Sequence, residues 1–405
     1  MTTAVAVFHR CLTPYKIVPS QTVVILSAAR TPIGRYGGAL RDVHPAELGA
    51  VAARAAIERA GLTAADIDEV LIGHARQAGS GPNPARQVGH RAGISHAAPA
   101  QTVNKACASG LQAIASGAQS ILLGESNMVL AGGIESMSRM PYLIDSIDAR
   151  WGHRMGNFTL VDAMYRDGFQ CPLSDMIMGE TAEKLATEYG ITREESDCFA
   201  LESQRKAKAA IDAGHFTREI APIDHLSRDE HPRGDTTIES LKKLPPVFGR
   251  GIITAGSSSG ITDGGAAVVL TSAETARGCG IQPRARILGW ASAGVDPSIM
   301  GIGPVPAIRK LETRIGLKVD DFDLVELNEA FAPQVLAVLR DIPISADRLN
   351  VNGGAIALGH PIGCTGTRII VTLLHELERR QARRGLATLC VSGGMGMALA
   401  IELCA

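Results

Sequence analysis

One cysteine stands where an extended segment meets a helical pattern, in VNKACASGLQAI at residues 103–114. The preceding PAQTV is β-prone, and the following SGLQAIASGAQSILLGE has apolar residues at helical spacing, so Cys107 is predicted at or near a helix start. The positive end of a helix dipole stabilises a thiolate and lowers the thiol pKa, which favours a nucleophile at neutral pH. The structural alternative is a small buried residue at a tight turn.

Three further glycine-rich segments carry groups that a nucleophilic thiol needs. They are LNEAFA with Asn328, NVNGGAIALGHPIGCTGTR with His360, and LCVSGGMGMA with Cys390. Each group alone has an ordinary structural explanation, as a helix cap, a turn histidine or a buried strand residue. Together with Cys107 they supply a nucleophile, a base, an amide and a second thiol in loops at strand ends, where α/β active sites form.

Strand-like and helical segments alternate near both ends of the chain, and these elements must position the four groups. TVVILSA, ELGAVAARAAIERA, EVLIGHA, LQAIASGAQSILLG and MVLAGG follow one another in the first part, and the alternation returns from PRARILGWASAG to ATLCVSGGMGMALAI. This alternation predicts an α/β architecture around a mainly parallel sheet. At 405 residues the chain is too long for one core, so two domains or one duplicated domain is expected.

The two α/β halves also resemble each other. DIDEVLIG from Asp66 aligns with DFDLVELN from Asp321, and VLAGGIESM from Val129 aligns with CVSGGMGM from Cys390, at separations of 255 and 261 residues. Two matches in the same order indicate a duplicated fold with an active site at the seam. The alternative is coincidence between strands rich in Gly and Val.

The segment between the halves differs in composition, with frequent Met, His, Arg, Asp and Pro. Only TAEKLATEYG and REESDCFALESQRKAKAAIDAG have clear helical patterns, and the second follows a capping signal, TREE. We therefore expect an inserted helical loop domain at residues 138–261, a first half at residues 21–137 plus 262–281, and a second half at residues 282–405. Residues 1–20 are expected to form a disordered extension or to reflect an early start codon, with a transit peptide as the alternative.

Composition excludes several classes of function. The net charge is −1 and no nucleic-acid motif is present, which argues against a nucleic-acid partner. No apolar run approaches the roughly 20 residues of a membrane span, and SAARTPIGRYGG lacks the GxGxxG turn of a dinucleotide oxidoreductase. The eight cysteines form no CxxC pair and no zinc-ligand spacing with histidine, so no metal site is expected and a reducing cytoplasmic location fits best.

From about Thr22 onward the chain resembles the thiolase family, and most of all its members that make acetoacetyl-CoA. The resemblance rests on segments in the family's order: SAARTPIGRYGGAL, GPNPARQ, VNKACASGLQAI, AGGIESMS, MGETAE, TAGSSSGITDGGAAV, GVDPSIMGIGP, NEAFAPQ, NVNGGAIALGHPIGCTGTR and CVSGGMG. It implies an αβαβα layered fold of two similar halves with an inserted helical loop lobe. It also implies that the chain assembles into a homotetramer, a dimer of dimers.

The resemblance implies five catalytic residues. Cys107 is acylated by an acyl-CoA or a 3-ketoacyl-CoA, His360 activates its thiol, and Cys390 moves the proton on the α-carbon of the second thioester. One oxyanion site is formed by His360 with a water held by Asn328, and the other by the backbone amides of Cys107 and Ser392. Many relatives have glycine where Ser392 stands, so the second site requires dihedral angles that suit a non-glycine residue.

The resemblance also implies ten positions around the CoA and acyl groups, although methionines are more often core filler and GSSSG could be a simple turn. They are Phe169, Met178, Arg233, Ser240, Phe248, Ala255, Ser259, Met300, Ala330 and Phe331. Acetoacetyl-CoA-forming thiolases commonly have His-Met where this chain has Ile177-Met178, and leucine where it has Phe169. These departures leave the acyl-chain length open.

The implied activity is condensation of two acetyl-CoA to acetoacetyl-CoA plus CoA, and the reverse thiolysis, by a ping-pong Claisen mechanism. CoA thioesters are then substrates, and no separate cofactor is expected. Two alternatives stay open: a degradative 3-ketoacyl-CoA thiolase of broader acyl range, and a non-catalytic thiolase-fold protein that binds CoA esters or lipids. The cysteines that match no catalytic position are interpreted as structural or incidental: Cys11, Cys171, Cys198, Cys279, Cys364 and Cys404.

Overall fold

The computed structural model describes residues 21–144, 146–249 and 251–404. The predicted N-terminal extension lies outside the described residues. The first part of the chain alternates strands and helices up to a long buried strand. Its elements are β1 Val23–Arg30, β2 Gly34–Arg35, α1 Pro45–Arg59, β3 Glu69–His74, α2 Pro84–Arg91, β4 Ala100–Val103, α3 Ser109–Leu123 and β5 Met128–Ser136.

The middle part contains short strands and the two helices expected there. The elements are β6 Tyr142–Ile144, α4 Ser146–Trp151, β7 Leu160–Asp162, β8 Gln170–Cys171, β9 Met176–Ile177, α5 Met178–Glu188, α6 Arg193–Asp212 and α7 Ile238–Lys242. The capping signal before α6 is confirmed, because Thr192 accepts from the N–H of Glu195 while Glu195 accepts from the N–H of Thr192. The domain boundaries around this part stay a prediction.

The last part returns to the sheet and ends in a hairpin. Its elements are β10 Thr262–Ser272, α8 Ala273–Gly278, β11 Ala285–Gly294, α9 Pro304–Ile315, β12 Leu324–Leu327, α10 Ala332–Asp341, α11 Ala355–Leu358, α12 Ile362–Arg380, β13 Arg384–Val391 and β14 Met395–Leu403. Gly393 and Gly394, with φ of 84° and 79°, close the turn between β13 and β14. Such positive φ values suit glycine because it lacks a Cβ.

The ten-stranded sheet has the order β12-β13-β14-β11-β1-β10-β5-β3-β4, with β2 paired to β10. Parallel pairing occurs between β12 and β13, between β3 and β4, and between β3 and β5. The pairs around β1, β10, β11 and β14 are antiparallel. The expectation of a mainly parallel sheet is therefore wrong. Alternation along the chain gives the order of elements. It does not show that the last strand of each half pairs antiparallel with the first, as β10 does with β1 and β14 does with β11.

The duplication is visible in the pairing of strands. In the first half Glu69 pairs with Val129, and in the second half Leu324 pairs with Gly385, both in parallel register. This pairing makes Val129 the counterpart of Gly385, so the sequence alignment of Val129 with Cys390 has the correct strands but is shifted by five residues. The two halves meet where β1 pairs with β11 over only two residue pairs.

Three apolar clusters define the layers of the fold. The central cluster joins Ile114 of α3 and Ile370 of α12 to strand residues from both halves of the sheet. A second cluster packs α1 and α2 on the outer face of the first half, and a third packs α9 and α10 on the outer face of the second half. The predicted αβαβα arrangement is confirmed.

The two central helices approach each other closely through glycine. A Cβ on Gly110 would lie 2.6 Å from Oγ1 and 2.8 Å from the backbone N of Thr367, and one on Gly366 would lie 2.3 Å from the N of Leu111. By length and composition residues 106–123 could cross a membrane, which the sequence-based search for long apolar runs did not anticipate, but 61% of that stretch is buried in the protein. Packing between two layers of sheet explains its apolar composition.

Candidate active site

A strained turn presents Cys107 just before α3, which confirms the prediction that it lies near a helix start. Ala106 has φ 45°, a left-handed conformation that non-glycine residues rarely adopt. Ser109 holds the turn, because its Oγ accepts from the N–H of Lys105 at 2.8 Å and donates to the carbonyl of Ala106 at 2.6 Å. The amide of Ala106 donates to Oδ1 of Asn104 at 3.0 Å. Local hydrogen bonds therefore fix where the thiol points.

The electrostatics of the thiol differ from the sequence-based expectation. Burial raises the pKa of Cys107 above its ordinary value, although the N–H of Ser392, the charge of Arg76 and the N–H of Cys107 itself act in the opposite direction. The dipole argument predicted a lowered pKa and is wrong in direction, because desolvation of the thiol outweighs the nearby donors. A thiol in this environment needs a base to become a nucleophile.

His360 supplies a neutral imidazole between α11 and α12. Thr365 Oγ1 donates to the carbonyl of Pro361 at 3.0 Å, so it accepts from His360 Nδ1 at 2.6 Å. This assignment leaves the lone pair on Nε2, which lies 3.5 Å from Nδ2 of Asn328. Burial, with the charges of Arg368 and Arg76, lowers the pKa of His360 to about 3. The imidazole is therefore available as a base at neutral pH.

Cys390 lies at the end of β13 and is fully buried. Burial, followed by proximity to Cys107, raises the pKa of the Cys390 thiol far above its ordinary value. Its apolar neighbours are Cys171, Met178, Met300, Ala330 and Phe331. In this environment the side chain is a protonated thiol that can give a proton to a strong base.

Ser392 follows β13 and its N–H faces the sulfur of Cys107. Among the described residues with positive φ, Gly393 and Gly394 appear but Ser392 does not. A serine can therefore keep the backbone N–H in place where many relatives have glycine. The amides of Cys107 and Ser392 both lie at the thiol, which is the geometry that an oxyanion site on the acylated sulfur requires.

One cavity of about 560 Å³ brings most of the predicted residues together. Its lining includes Cys107, His360, Cys390 and Ser392, and also Phe169, Met178, Arg233, Phe248, Ala255, Ser259, Met300, Ala330 and Phe331. Asn328 lies behind His360 and Ser240 lies in α7, where it forms a hydrogen-bonded cap with Thr237. The roles of all these residues stay predictions.

The inserted part and the second half meet at this cavity through backbone pairing. The N–H of Ser259 donates to the carbonyl of Ala330 at 3.0 Å, and the N–H of Ala332 donates to the carbonyl of Ser257 at 2.8 Å. Phe248 packs edge-on against Phe331, with ring centroids 6.5 Å apart. These contacts fix one wall of the cavity.

Two buried carboxylates that the sequence analysis missed support the catalytic loops. Glu135 accepts from His74 Nε2 at 3.1 Å and from the N–H of Gly363 at 2.8 Å, which fixes the start of α12. Burial opposes ionisation of Glu135, but the charge and hydrogen bond of His74, the charge of Arg76 and the N–H of Gly363 outweigh burial and lower the pKa. An acidic residue at the end of the apolar run MVLAGGIES was the available signal.

The second missed carboxylate, Glu329, holds the loop that leads to His360. It accepts from Ser203 Oγ at 2.6 Å, from Asn350 Nδ2 at 2.9 Å and from the N–H of Ile356 at 3.1 Å. The available signal was its position inside LNEAFA, directly after Asn328. Only Asn328 of that segment was predicted to have a role. Within the described residues no group of His, Cys, Asp and Glu has the arrangement of a metal site.

Comparison with known proteins relates both halves to one family. Residues 23–274 match the family model described as thiolase, N-terminal domain, and residues 281–403 match thiolase, C-terminal domain. An acetyl-CoA acetyltransferase of Pseudomonas aeruginosa is 51% identical over 391 residues, covering 94% of this chain and 99% of that protein.

Solved structures agree with the family models. An acetyl-CoA acetyltransferase of Bacillus anthracis superposes with a TM-score of 0.92 at 46% identity, covering 95% of this chain and 99% of that one. Human mitochondrial 3-ketoacyl-CoA thiolase in complex with CoA also gives 0.92, at 44% identity, with 95% and 98% covered. The fold, the two family models and these relatives together show that the chain belongs to the thiolase family.

Proposed function

We propose that this protein is an acetyl-CoA C-acetyltransferase that condenses two acetyl-CoA to acetoacetyl-CoA plus CoA and catalyses the reverse thiolysis. The observation that carries the proposal is the cavity in which Cys107, His360 and Cys390 come together. A nucleophile, a neutral base and a protonated thiol are the three groups that a thioester Claisen reaction requires. The names of the relatives, several of which are acetyl-CoA acetyltransferases, support acetyl-CoA as the substrate.

The first half-reaction transfers the acetyl group to the enzyme. His360 Nε2 takes the proton of the Cys107 thiol as the sulfur attacks the thioester carbonyl of acetyl-CoA. The carbon–sulfur bond to CoA breaks, and the CoA sulfur leaves with the proton of the Cys390 thiol. His360 then remains protonated, and Cys390 becomes a thiolate. The N–H groups of Cys107 and Ser392 stabilise the oxyanion of the tetrahedral intermediate that forms on the Cys107 sulfur. Loss of one such donor typically costs about 10²-fold or more in rate.

The second half-reaction forms the carbon–carbon bond. The Cys390 thiolate takes a proton from the α-carbon of a second acetyl-CoA, and the resulting enolate attacks the acetyl carbonyl on Cys107. The bond from that carbon to the Cys107 sulfur then breaks, acetoacetyl-CoA is released, and the sulfur recovers the proton that His360 holds. Asn328 and protonated His360 provide donors for the enolate oxygen, consistent with the Nδ2 to Nε2 distance of 3.5 Å. In thiolysis the same Cys390 thiol returns the proton, which suits its raised pKa.

Intact-protein mass spectrometry after brief incubation with acetyl-CoA tests the nucleophile. We expect a single acetyl adduct on the wild-type protein and none on Cys107→Ala. Cys364→Ala is the matched control, because Cys364 is also buried among core residues but does not line the cavity. Absence of any adduct and of thiolysis by well-folded protein would favour the non-catalytic alternative, a protein that binds CoA esters or lipids.

A degradative 3-ketoacyl-CoA thiolase is the second candidate. Phe169 and Ile177 line the cavity, at positions where acetoacetyl-CoA-forming thiolases commonly have leucine and histidine. The human 3-ketoacyl-CoA thiolase also superposes on this chain as well as the Bacillus anthracis acetyltransferase does. Thiolysis rates on acetoacetyl-CoA and on 3-ketodecanoyl-CoA separate the two. A higher kcat/KM on acetoacetyl-CoA supports the acetyltransferase. A higher kcat/KM on 3-ketodecanoyl-CoA supports the degradative thiolase instead.

We also propose a homotetramer in the cytoplasm, with acyl-CoA substrates as the only further partners. Large apolar side chains are exposed between β6 and β7, with Trp151 at 79% and Met155 at 87% exposure, and such a patch suits a protein interface. Light scattering after size-exclusion chromatography tests the assembly, and a monomer would overturn it. Cell fractionation tests the location, which a membrane or organelle fraction would contradict.

A further inference from the structure

Arg76 is a buried cation that the mechanism above does not use. It follows β3, is 4% exposed, and lines the same cavity as Cys107 and His360. Its Nε is buried without a hydrogen-bond partner, and no hydrogen bond or ion pair joins its guanidinium to another group in residues 21–144, 146–249 and 251–404. Burying an unpaired charge is costly, so a guanidinium in this state needs an explanation.

The nearest carboxylates do not pair with the guanidinium. Glu135 accepts from the backbone N–H of Arg76 at 3.2 Å, and its remaining contacts are His74 Nε2 and the N–H of Gly363. Asp167 acts on Arg76 only through longer-range electrostatics, and its side chain lies in an exposed part of the cavity rim. Arg76 therefore retains donors for a group that comes from outside the protein.

The faces of the guanidinium are fixed by the turn Tyr165–Phe169. The central carbon of the group lies 5.1 Å from the centroid of the Phe169 ring. On Gly168 a Cβ would lie 1.3 Å from Nη1 of Arg76, so the guanidinium packs directly against the backbone here and a side chain at this position would displace it. Packing of its faces holds the cation in one orientation. Because Nε is buried, the edge formed by Nη1 and Nη2 is the one that faces an incoming carboxylate, which two parallel hydrogen bonds would hold.

The position in the cavity indicates which part of a substrate would meet Arg76. Arg76 contacts Phe169, which the family resemblance places against the substrate, and its charge acts on both Cys107 and His360. Arg233, which the resemblance places near the nucleotide end, is a separate cation in the same lining and is available to the CoA phosphates. An acetyl group carries no charge that could use Arg76.

We propose that Arg76 binds a carboxylate at the far end of the acyl chain, so that the enzyme also cleaves 3-ketoacyl-CoA thioesters derived from dicarboxylic acids. The inference rests on the proposed thiolase activity. Cys107 attacks the 3-keto carbon, the bond between C2 and C3 breaks, and C2 takes one proton to give acetyl-CoA. The thiol of free CoA then attacks the enzyme thioester and releases the carboxylated acyl-CoA, with no oxidant or reductant.

Thiolysis of matched substrates tests this inference in the wild-type enzyme. We compare 3-ketoadipyl-CoA with the uncharged 3-ketohexanoyl-CoA, and 3-ketopimelyl-CoA with 3-ketoheptanoyl-CoA, because the free length of the acyl site sets which carboxylate reaches Arg76. A charge-assisted pair predicts a kcat/KM about tenfold to a hundredfold higher for at least one carboxylated member. A ratio at or below one for both pairs would overturn the proposal.

Variants connect the preference to Arg76. Arg76→Met should bring the ratio of carboxylated to uncharged substrate down by at least about tenfold, and Arg76→Lys should retain part of it. Gly168→Ala should also lower the ratio, because its Cβ displaces the guanidinium of Arg76 from its packed position. The ratio is measured within each variant, so a general loss of activity does not mimic the effect. A preference that survives Arg76→Met would refute the assignment.

Binding measurements separate this inference from the thiolase activity itself. Isothermal titration of Cys107→Ala with adipyl-CoA and hexanoyl-CoA, repeated with pimelyl-CoA and heptanoyl-CoA, requires no turnover. The carboxylated ligand should bind more tightly than the uncharged one, and this difference should disappear when Arg76→Met is added. That result supports the carboxylate site even if no thiolysis occurs. Equal binding of charged and uncharged ligands by an enzyme that thiolyses acetoacetyl-CoA refutes the site and leaves the proposed function intact.

Discussion

Replacing Thr365 with valine should slow acylation of Cys107 without unfolding the protein. Thr365 is fully buried, and its Oγ1 is the acceptor that fixes the proton of His360 on Nδ1, at 2.6 Å. Valine has nearly the same shape but leaves the Nδ1–H and the carbonyl of Pro361 without this partner. The imidazole can then place its proton on Nε2, where it can no longer accept the thiol proton.

The size of the effect follows from the hydrogen bond that is lost. An unsatisfied buried polar group costs about 1–3 kcal/mol, which corresponds to roughly 5-fold to 150-fold in the rate of the step that depends on it. Rapid-quench mass spectrometry of the acetyl adduct under single-turnover conditions measures this step directly. Circular dichroism and the melting temperature monitor folding.

The matched control is Thr365→Ser, which keeps the hydroxyl and removes only a methyl group. We expect its acylation rate to stay within about threefold of wild type, because the acceptor for His360 is retained. If folded Thr365→Val forms the adduct as fast as wild type, then the orientation of His360 does not depend on Thr365. The assignment of Nε2 as the base would then lose its structural support.

Three further predictions concern the base, the central layer and the substrate wall. Because the pKa of His360 is lowered to about 3, the imidazole stays neutral well below pH 6.5. The acylation rate measured by rapid quench should therefore change less than about threefold between pH 8 and pH 5, and a fall in rate near pH 6.5 would contradict this. Gly110→Ala should lower the free energy of unfolding by about 1–3 kcal/mol in denaturant titration, whereas Gly278→Ala, with open space around its Cβ, should not. In Gly179→Ala the added Cβ would lie 1.9 Å from the ring of Phe248 and displace it, so the KM for CoA should rise about 2-fold to 10-fold. An unchanged KM would show that Phe248 does not contact the substrate.

Local sequence was sufficient for the elements and for the identity of the reactive groups. The helical spacing after Cys107 and the TREE signal before α6 correspond to α3 and to the Thr192–Glu195 capping box. Helical periodicity and capping involve residues within a few positions of one another, so they are written in the sequence directly. The glycine-rich segments likewise mark turns where backbone groups come close to other chain segments.

Strand pairing could not be obtained in the same way. The segments that form β10 and β14 are buried along nearly their whole length, and their residues carry no mark of parallel or antiparallel direction. Their direction is set by where the returning chain finds free strand edges, beside β1 and β13. The second alignment between the halves failed by five residues for a related reason, because two Gly-Gly pairs matched in letters but not in sheet register.

The sequence by itself determined which chemistry is present: a thiol in a tight turn, a histidine before a helix, a second thiol at a strand end, and their family. Tertiary structure decided how these groups behave. The pKa of Cys107 is raised, His360 is neutral, and Glu135 is held to the N–H of Gly363 across 228 residues of chain. Desolvation and charge pairing depend on distances between segments far apart in sequence, and only folding sets those distances.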